Sequence, residues 1–345
     1  MMSSYKVMPE DDIMNSEKKE KDSTKSKVFA MLNMDRGKYV SGEELSSELG
    51  ITRTAVWKAV NSLKKEGHVI DACRNRGYLL QCDENSVSEV DVKRFMHFYA
   101  DEVSVRVYGV VESTNLLARD MARHGVVQYT AIVAQEQTHG RGTHGRSFFS
   151  PPDTGLYMSI VLRPDESVTD ALFITTAAAA ACAEAIESIF EAKAEIKWVN
   201  DIYVDGKKVC GILTEGALRP DGSGIEYAVL GIGINVYKPR KDFPEEIRNI
   251  AHWLSDEPLC NIRSRLVAEI LDRFIFYYKR LSEKPFLKSY RKRMLLTGKD
   301  VEFCESSTWS SGHVLGVTDD MKLELRLDSG EVKRLSSGDV RVKMM

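Results

Sequence analysis

The sequence predicts an α+β protein in three folded parts: a winged helix-turn-helix, a central α/β domain and a small C-terminal β-barrel. Three observations carry this. Two short helical patterns separated by Gly50 precede a hairpin between residues 41 and 80. Apolar β-rich runs then alternate with helical ones from residue 90 to about residue 297. From residue 298 onward, short alternating strands are broken by turns at Asp319-Asp320, Ser329-Gly330 and Ser337-Gly338.

The chain has 345 residues, enough for two or three domains with a sizeable core. Its 43% hydrophobic and 29% charged content is that of an ordinary globular protein. The net charge of -3 excludes a globally basic nucleic-acid binder, so any DNA contact must come from a local patch. The six cysteines form no C-x-x-C pair and no zinc-like Cys/His spacing, and they read as reduced thiols in a cytoplasmic protein. Residues 16–27 read SEKKEKDSTKSK, and residues 1–24 are expected to be a disordered charged tail without a signal peptide's apolar core. The longest small-apolar run, residues 174–189, is interrupted by Glu184 and Glu187 and is too short for a bilayer. It reads as a buried alanine-rich helix, and no membrane association is expected.

The first domain is expected over residues 25–82. Leu45 and Leu49 share one helix face, Gly50 supplies the turn, and Thr52 is placed to cap the next helix. Val56, Val60 and Leu63 line that second helix at i, i+4, i+7. Arg53, Thr54, Lys58 and Asn61 lie off the apolar stripe, and they are residue types that contact phosphates and base edges. Residues 68–80 (HVIDACRNRGYLL) form a hairpin whose tip carries Arg74 and Arg76, as the wing of a winged helix does. From residue 41 to residue 80, six Lys/Arg meet five Asp/Glu, a net of only +1. A helical protein-interaction module is therefore the competing reading.

A polar stretch, residues 83–89 (DENSVSE), opens the second domain, expected over residues 83–297. Its strands are expected at residues 131–134, 156–162, 209–214 and 227–234, and its helices at 115–124, 171–190 and 262–281. Residues 135–151 read QEQTHGRGTHGRSFFSP. A loop with Gly140, Gly142 and Gly145 between Arg141 and Arg146 is able to wrap its backbone N–H groups around an anion; a purely structural loop is the alternative. Residues 197–216 read KWVNDIYVDGKKVCGILTEG. A turn at Asp205-Gly206 brings Lys208 back towards Lys197, Asn200 and Asp201, while Trp198, Ile202, Val209 and Ile212 bury the same strands. A converging charged set on an apolar support reads as a site. The strand GIGIN, residues 231–235, offers glycines where a ligand is able to approach the backbone.

The loop GRGTHGR, the strand pair KWVNDIYVDGKKVCGI and the strand GIGIN, in that order, resemble the catalytic domain of biotin protein ligases. With the winged helix in front, the chain resembles the bifunctional subclass that also represses biotin genes. The resemblance runs from about residue 25 to the end. It implies a mixed-sheet ligase domain like that of class II aminoacyl-tRNA synthetases, and an SH3-like barrel over residues 298–345. It places Ser113, Thr114, Asn115, Gln135, Gly140, Arg141, Gly142, Thr143 and Lys208 around biotin. It places Arg141, Arg146, Phe148, Lys197, Asn200, Gly211 and Asn235 around ATP and the adenylate, with residues 237–254 covering it. Lys208, Asp201 and Arg141 become the catalytic residues. ATP, Mg²⁺ and biotin are the implied ligands. The implied partners are a lysine of a biotin carboxyl carrier protein, biotin operator DNA, and a second copy in an adenylate-bound homodimer. One departure stands out. The family's loop often has arginine at the third and fourth places after its Gly-Arg-Gly start, where this chain has Thr143 and His144, and weaker retention of the adenylate follows.

The implied chemistry joins two anions, the biotin carboxylate and the α-phosphate, so the site must supply fixed positive charge. The anhydride then meets a lysine amine, and Asp201 is the nearest carboxylate to receive its proton. A lipoate ligase shares the Asn-Asp…Lys element, but the GRGxxGR loop, the winged helix and the barrel favour biotin. A ligand-sensing regulator without turnover is the rival from another class, and retention of Lys208, Asp201 and Arg141 argues against it.

Overall fold

The computed structural model describes residues 24–34, 38–65, 68–80, 87–164, 170–219, 221, 224–256, 259, 261–305, 308–337 and 340–344. The expected tail, apart from Thr24, and most of the expected linker lie outside the described residues, as do Cys82, Cys260 and Gly338. Two compact units divide the chain, residues 1–84 and 85–345.

In the first unit, helices α1 (Thr24–Met34), α2 (Gly42–Leu49) and α3 (Arg53–Lys65) precede a hairpin of β1 (Ile70–Cys73) and β2 (Gly77–Leu80). Local chemistry sets each boundary. The Ser41 hydroxyl accepts from the Glu44 N–H at 3.0 Å, and Gly50 ends α2 in the left-handed region at φ 62°. The Thr52 hydroxyl accepts from the Ala55 N–H at 3.2 Å and opens α3. Gly77 has φ 102°, and a Cβ there would stand 2.1 Å from the Val40 carbonyl oxygen, so only glycine fits where Val40 bridges to Tyr78. Leu45, Val56, Val60 and Leu63 close the core with Val28 and Leu32 of α1. Truncating the fully buried Leu45 to alanine would cost about 2–5 kcal/mol.

The second unit is built on a seven-stranded mixed sheet ordered β3-β4-β5-β9-β8-β7-β6. These strands are β3 (Ser104–Val111), β4 (Thr130–Gln137), β5 (Gly155–Leu162), β6 (Ala194–Lys197), β7 (Asp201–Val204), β8 (Lys207–Leu218) and β9 (Ile225–Asn235). Helix α4 (Glu89–Phe95) leads into the sheet. Only β3 and β4 run parallel, and helix α5 (Thr114–Arg123) is the crossover that such a pair requires. Ala118 and Ala122 of α5 pack with Ile132, Val161, Tyr227 and Val229. The larger core gathers helices α6 (Asp170–Phe190) and α8 (Ile262–Tyr278) with strand residues that include Leu156, Met158 and Ile160. β5 is buried along its whole length, as a central strand with both faces covered should be.

The alanine-rich helix is longer than the apolar run suggests. At 21 residues, α6 is long and apolar enough to cross a membrane by length and composition. Every residue from Ala177 to Ala183 is instead fully buried in the core. Glu184 and Glu187, which interrupt the run, pair with Arg273 and Arg293.

After helices α7 (Glu245–Arg248), α8 and α9 (Phe286–Lys292), a five-stranded antiparallel sheet ordered β13-β12-β11-β10-β14 stands where the barrel is expected. It comprises β10 (Asp300–Glu305), β11 (Thr308–Val317), β12 (Leu323–Arg326), β13 (Val332–Leu335) and β14 (Val340–Met344). It shares the compact unit of the larger sheet: the Trp198 indole N–H donates to the Met321 carbonyl at 2.9 Å.

Candidate functional site

Strands β7 and β8 form a hairpin whose two turn residues, Asp205 (φ 50°) and Gly206 (φ 73°), both take the left-handed conformation of a tight two-residue turn. A bulge between Ile202 and Tyr203 shifts the register, so Asp201 lies opposite Gly211 and Tyr203 opposite Lys208. Across that offset, Lys208 Nζ donates to Asp201 Oδ1 at 2.6 Å. Both side chains are about a quarter exposed and line a cleft. Gly211 completes this wall, and a Cβ there would come within 3.3 Å of the Lys208 ammonium.

The opposite wall is the start of α5. Ser113, Thr114 and Asn115 are all buried and all line the cleft. The Thr114 hydroxyl donates to Gln137 Oε1 at 3.1 Å, and its backbone N–H donates to the same atom at 2.8 Å. Ser159, fully buried on β5, is 2.7 Å from Thr114 Oγ1 and donates to Asn115 Oδ1 at 2.6 Å. The Ser113 Oγ is buried and meets no hydrogen-bond partner among the described residues. A buried hydroxyl in that state is costly unless a ligand satisfies it.

The glycine-rich loop forms the third wall. Arg141, Gly142, Thr143 and Phe148 line the cleft. Gly140 does not; a Cβ there would stand 2.4 Å from the Phe148 carbonyl oxygen, so its part is to let the loop close on itself. Phe148 N–H donates to Gly140 O at 2.9 Å, and Gly142 N–H to Arg146 O at 2.7 Å. Arg141 Nη1 lies 3.0 Å from Glu215 Oε1, and Asn115 Nδ2 donates to Glu215 Oε2 at 2.8 Å.

The other expected site residues fall in different places. Gln135 does not line the cleft, whereas Gln137, two residues later on β4, does. Arg146 folds back on Thr143, with Nη2 3.3 Å from Thr143 Oγ1, and does not reach the cleft. Asn235 is also outside it, because its Nδ2 donates to the His252 carbonyl at 2.9 Å. The glycines of β9 leave room for side chains of this chain: a Cβ on Gly231 would collide with Asn115, and one on Gly233 with Phe148. Asn200 lines the cleft, but its amide is engaged by the Ile212 carbonyl at 2.8 Å. Lys197 faces Asp201 across the β6–β7 register without entering the lining. Burial pushes the Lys197 ammonium below the usual lysine range, Asp201 opposes that shift, and Lys208 and Arg146 add to it. Glu215 and Ser159 were not singled out in the sequence; nothing in their spacing marks them.

The segment after β9 is tied to Lys208 by its backbone. Lys208 N–H donates to Ile250 O at 2.7 Å, and His252 N–H donates to Lys208 O at 2.9 Å. Phe243 stacks on Trp253 at 6.1 Å and meets Phe149 of the glycine-rich loop at 5.8 Å. The segment 237–254 thus contacts both the glycine-rich loop and the Lys208 strand.

In the first unit, Arg53, Thr54 and Lys58 are exposed on α3, and Asn61 is half-buried. Arg74 and Arg76 are exposed at the hairpin tip on either side of Asn75. Arg53 lies 2.7 Å from Glu43, and the Arg76 guanidinium lies 4.2 Å from the Tyr39 ring centroid. Trp57, 56% exposed on the same helix, was not singled out either.

The Biotin/lipoate A/B protein ligase family matches residues 107–235, and the HTH domain family matches residues 24–79. The Bifunctional ligase/repressor BirA of Bacillus subtilis is 30% identical to the chain over 319 residues, covering 91% of this chain and 97% of that protein. The protein of the same name from Escherichia coli is 30% identical over 268 residues, covering 77% and 80%. The solved structure of biotin protein ligase from Aquifex aeolicus in complex with biotin and ATP aligns with a TM-score of 0.60 at 28% identity, covering 70% of this chain and 99% of that one.

Proposed function

This chain belongs to the family of bifunctional biotin ligase/repressor proteins, and from that premise we propose how its own residues divide the work. The activity is ATP-dependent ligation of biotin to a protein lysine through biotinyl-5′-AMP, paired with repression through the helix-turn-helix.

The observation that carries the assignment of the pocket is the buried Ser113 hydroxyl without a partner, beside Thr114 and Gln137 and across the cleft from Lys208. A ureido ring offers a carbonyl and two N–H groups, which match a hydroxyl donor and the remaining acceptor capacity of that cluster. The carboxylate arm then points to Lys208. A biotin carboxylate oxygen attacks the α-phosphorus of ATP, the bond to the bridging oxygen breaks, and pyrophosphate leaves with the electron pair. Lys208 and Arg141 hold the two anions together.

As Lys208 turns to the anions, its partner Asp201 becomes available. The acceptor lysine nitrogen attacks the anhydride carbonyl, AMP departs on its phosphate oxygen, and Asp201 takes the amine proton. Phe148 and residues 237–254 shield the anhydride from water. Among the described residues no three His, Cys, Asp or Glu side chains gather into a metal cage. Mg²⁺ carried with the nucleotide would neutralise phosphate charge beside Lys208 and Arg141. The acceptor is a lysine of a biotin carboxyl carrier protein. The DNA partner is a two-half-site operator read by a homodimer, through Arg53, Thr54, Lys58, Asn61, Arg74 and Arg76.

A thermal shift tests the pocket. Biotin alone, without ATP, should raise the melting temperature, and lipoate should not. Equal shifts from both ligands would remove the assignment.

A further inference from the structure

We propose that Glu215 is a positioning residue for adenylation: it fixes the Arg141 guanidinium against the cleft and ties it, through Asn115, to the Ser113–Thr114 wall. This rests on the reading of the cleft as the biotin and ATP site.

Arg141 stands on a loop with glycine on both sides of it, and a long side chain there needs an anchor outside the loop. Glu215 comes from β8, which lies between β9 and β7 in the sheet. One carboxylate oxygen lies 3.0 Å from Arg141 Nη1 and the other accepts from Asn115 Nδ2 at 2.8 Å. Asn115 is itself immobilised: its Oδ1 accepts from the fully buried Ser159, and it fills the space that Gly231 leaves open. The carboxylate is therefore held from the helix side before it meets the arginine.

Two consequences separate this from a surface ion pair. Both amide ends of Asn115 are engaged by protein, so its part in the site is to orient Glu215 rather than to touch ligand. The guanidinium spends one edge on Glu215 and keeps further N–H donors for an arriving anion. With Lys208 held by Asp201, each cation lining the cleft has its own carboxylate, so neither drives the other out by repulsion.

The test uses the full chain in two arms. In ligand-free protein, trypsin should cut after Arg141 at least about fivefold faster in Glu215→Gln than in wild type, because the carboxamide turns a donor towards one of its two donor partners. Pyrophosphate release from biotin and ATP is then followed in a double-mutant cycle. Glu215→Gln should lower kcat/KM about tenfold in the wild-type background and less than about twofold in Arg141→Ala. Equal losses in both backgrounds, no loss in either, or unchanged cleavage would overturn the proposal. If Glu215→Gln does not fold, Glu215→Ala carries the same expectations. A wild-type protein that releases no pyrophosphate would instead sink the assignment of the cleft, while the trypsin comparison, which needs no ligand, still decides the role of Glu215.

Discussion

Lys208 meets Asp201 at 2.6 Å across a bulged register, so one cation of the cleft is held by the carboxylate proposed to receive the amine proton. A fixed cation beside two reacting anions is worth several kcal/mol where water is excluded. Lys208→Ala should cut adenylation by at least about a hundredfold and leave the fold intact, since Lys208 is not part of the core. Near wild-type pyrophosphate release from that variant would show that another cation carries the step.

Asp201→Asn separates the two half-reactions. Adenylation should fall by less than about tenfold, and transfer of biotin from preformed adenylate to a lysine by about a hundredfold. Single-turnover measurements of each step decide it. Equal losses would mean that Asp201 acts only by holding Lys208.

Thr143 stands where the family often has arginine, and Arg146 leans on it. One missing charged contact is worth about 1–3 kcal/mol when desolvated. Adenylate should leave the wild-type protein faster than Thr143→Arg in stopped-flow release. An unchanged or faster rate in the variant would mean that Arg146 already supplies the charge.

DNA binding should depend on the ligand. Biotin with ATP should strengthen binding to an inverted repeat, since two protomers presenting the same helix read two half-sites. Arg53→Ala should weaken it and reduce its salt dependence. Affinity indifferent to biotin and ATP would contradict the coupling.

Burial pushes the phenols of Tyr129, Tyr203 and Tyr277 up to about 12, and also raises those of Tyr157 and Tyr290 well above the usual range. The folded values lie above the unfolded value near 10. Their contribution to stability is therefore fully present below pH 10 and is lost as pH rises through about 12. Near pH 11 the native protein should show about four fewer tyrosinates than the denatured chain, read by ultraviolet absorbance. Superimposed titrations would contradict the burial.

Where local chemistry decides, the sequence was legible: Ser41, Gly50 and Thr52 set the helix ends, and Asp205-Gly206 sets the hairpin that returns Lys208 to Asp201. The sequence is least legible where a long side chain has several reachable partners. Gln135 and Gln137 sit two apart on one strand, and only the fold shows which meets Thr114. The amide nitrogens of Asn235 and Asn200 each donate to a backbone carbonyl, while Asn200 still lines the cleft. Glycines 231 and 233 signal close approach: both line the cleft, and Asn115 and Phe148 pack beside them. Glu215 meets Asn115 from 100 residues away, a separation that no spacing rule reaches.

The most direct measurement is pyrophosphate release by the wild-type chain given ATP, Mg²⁺ and either biotin or lipoate, followed by mass analysis of an added biotin carboxyl carrier domain. The account predicts release with biotin alone and one biotinyl group on the carrier lysine. Release with lipoate in place of biotin, or none with biotin, would contradict it.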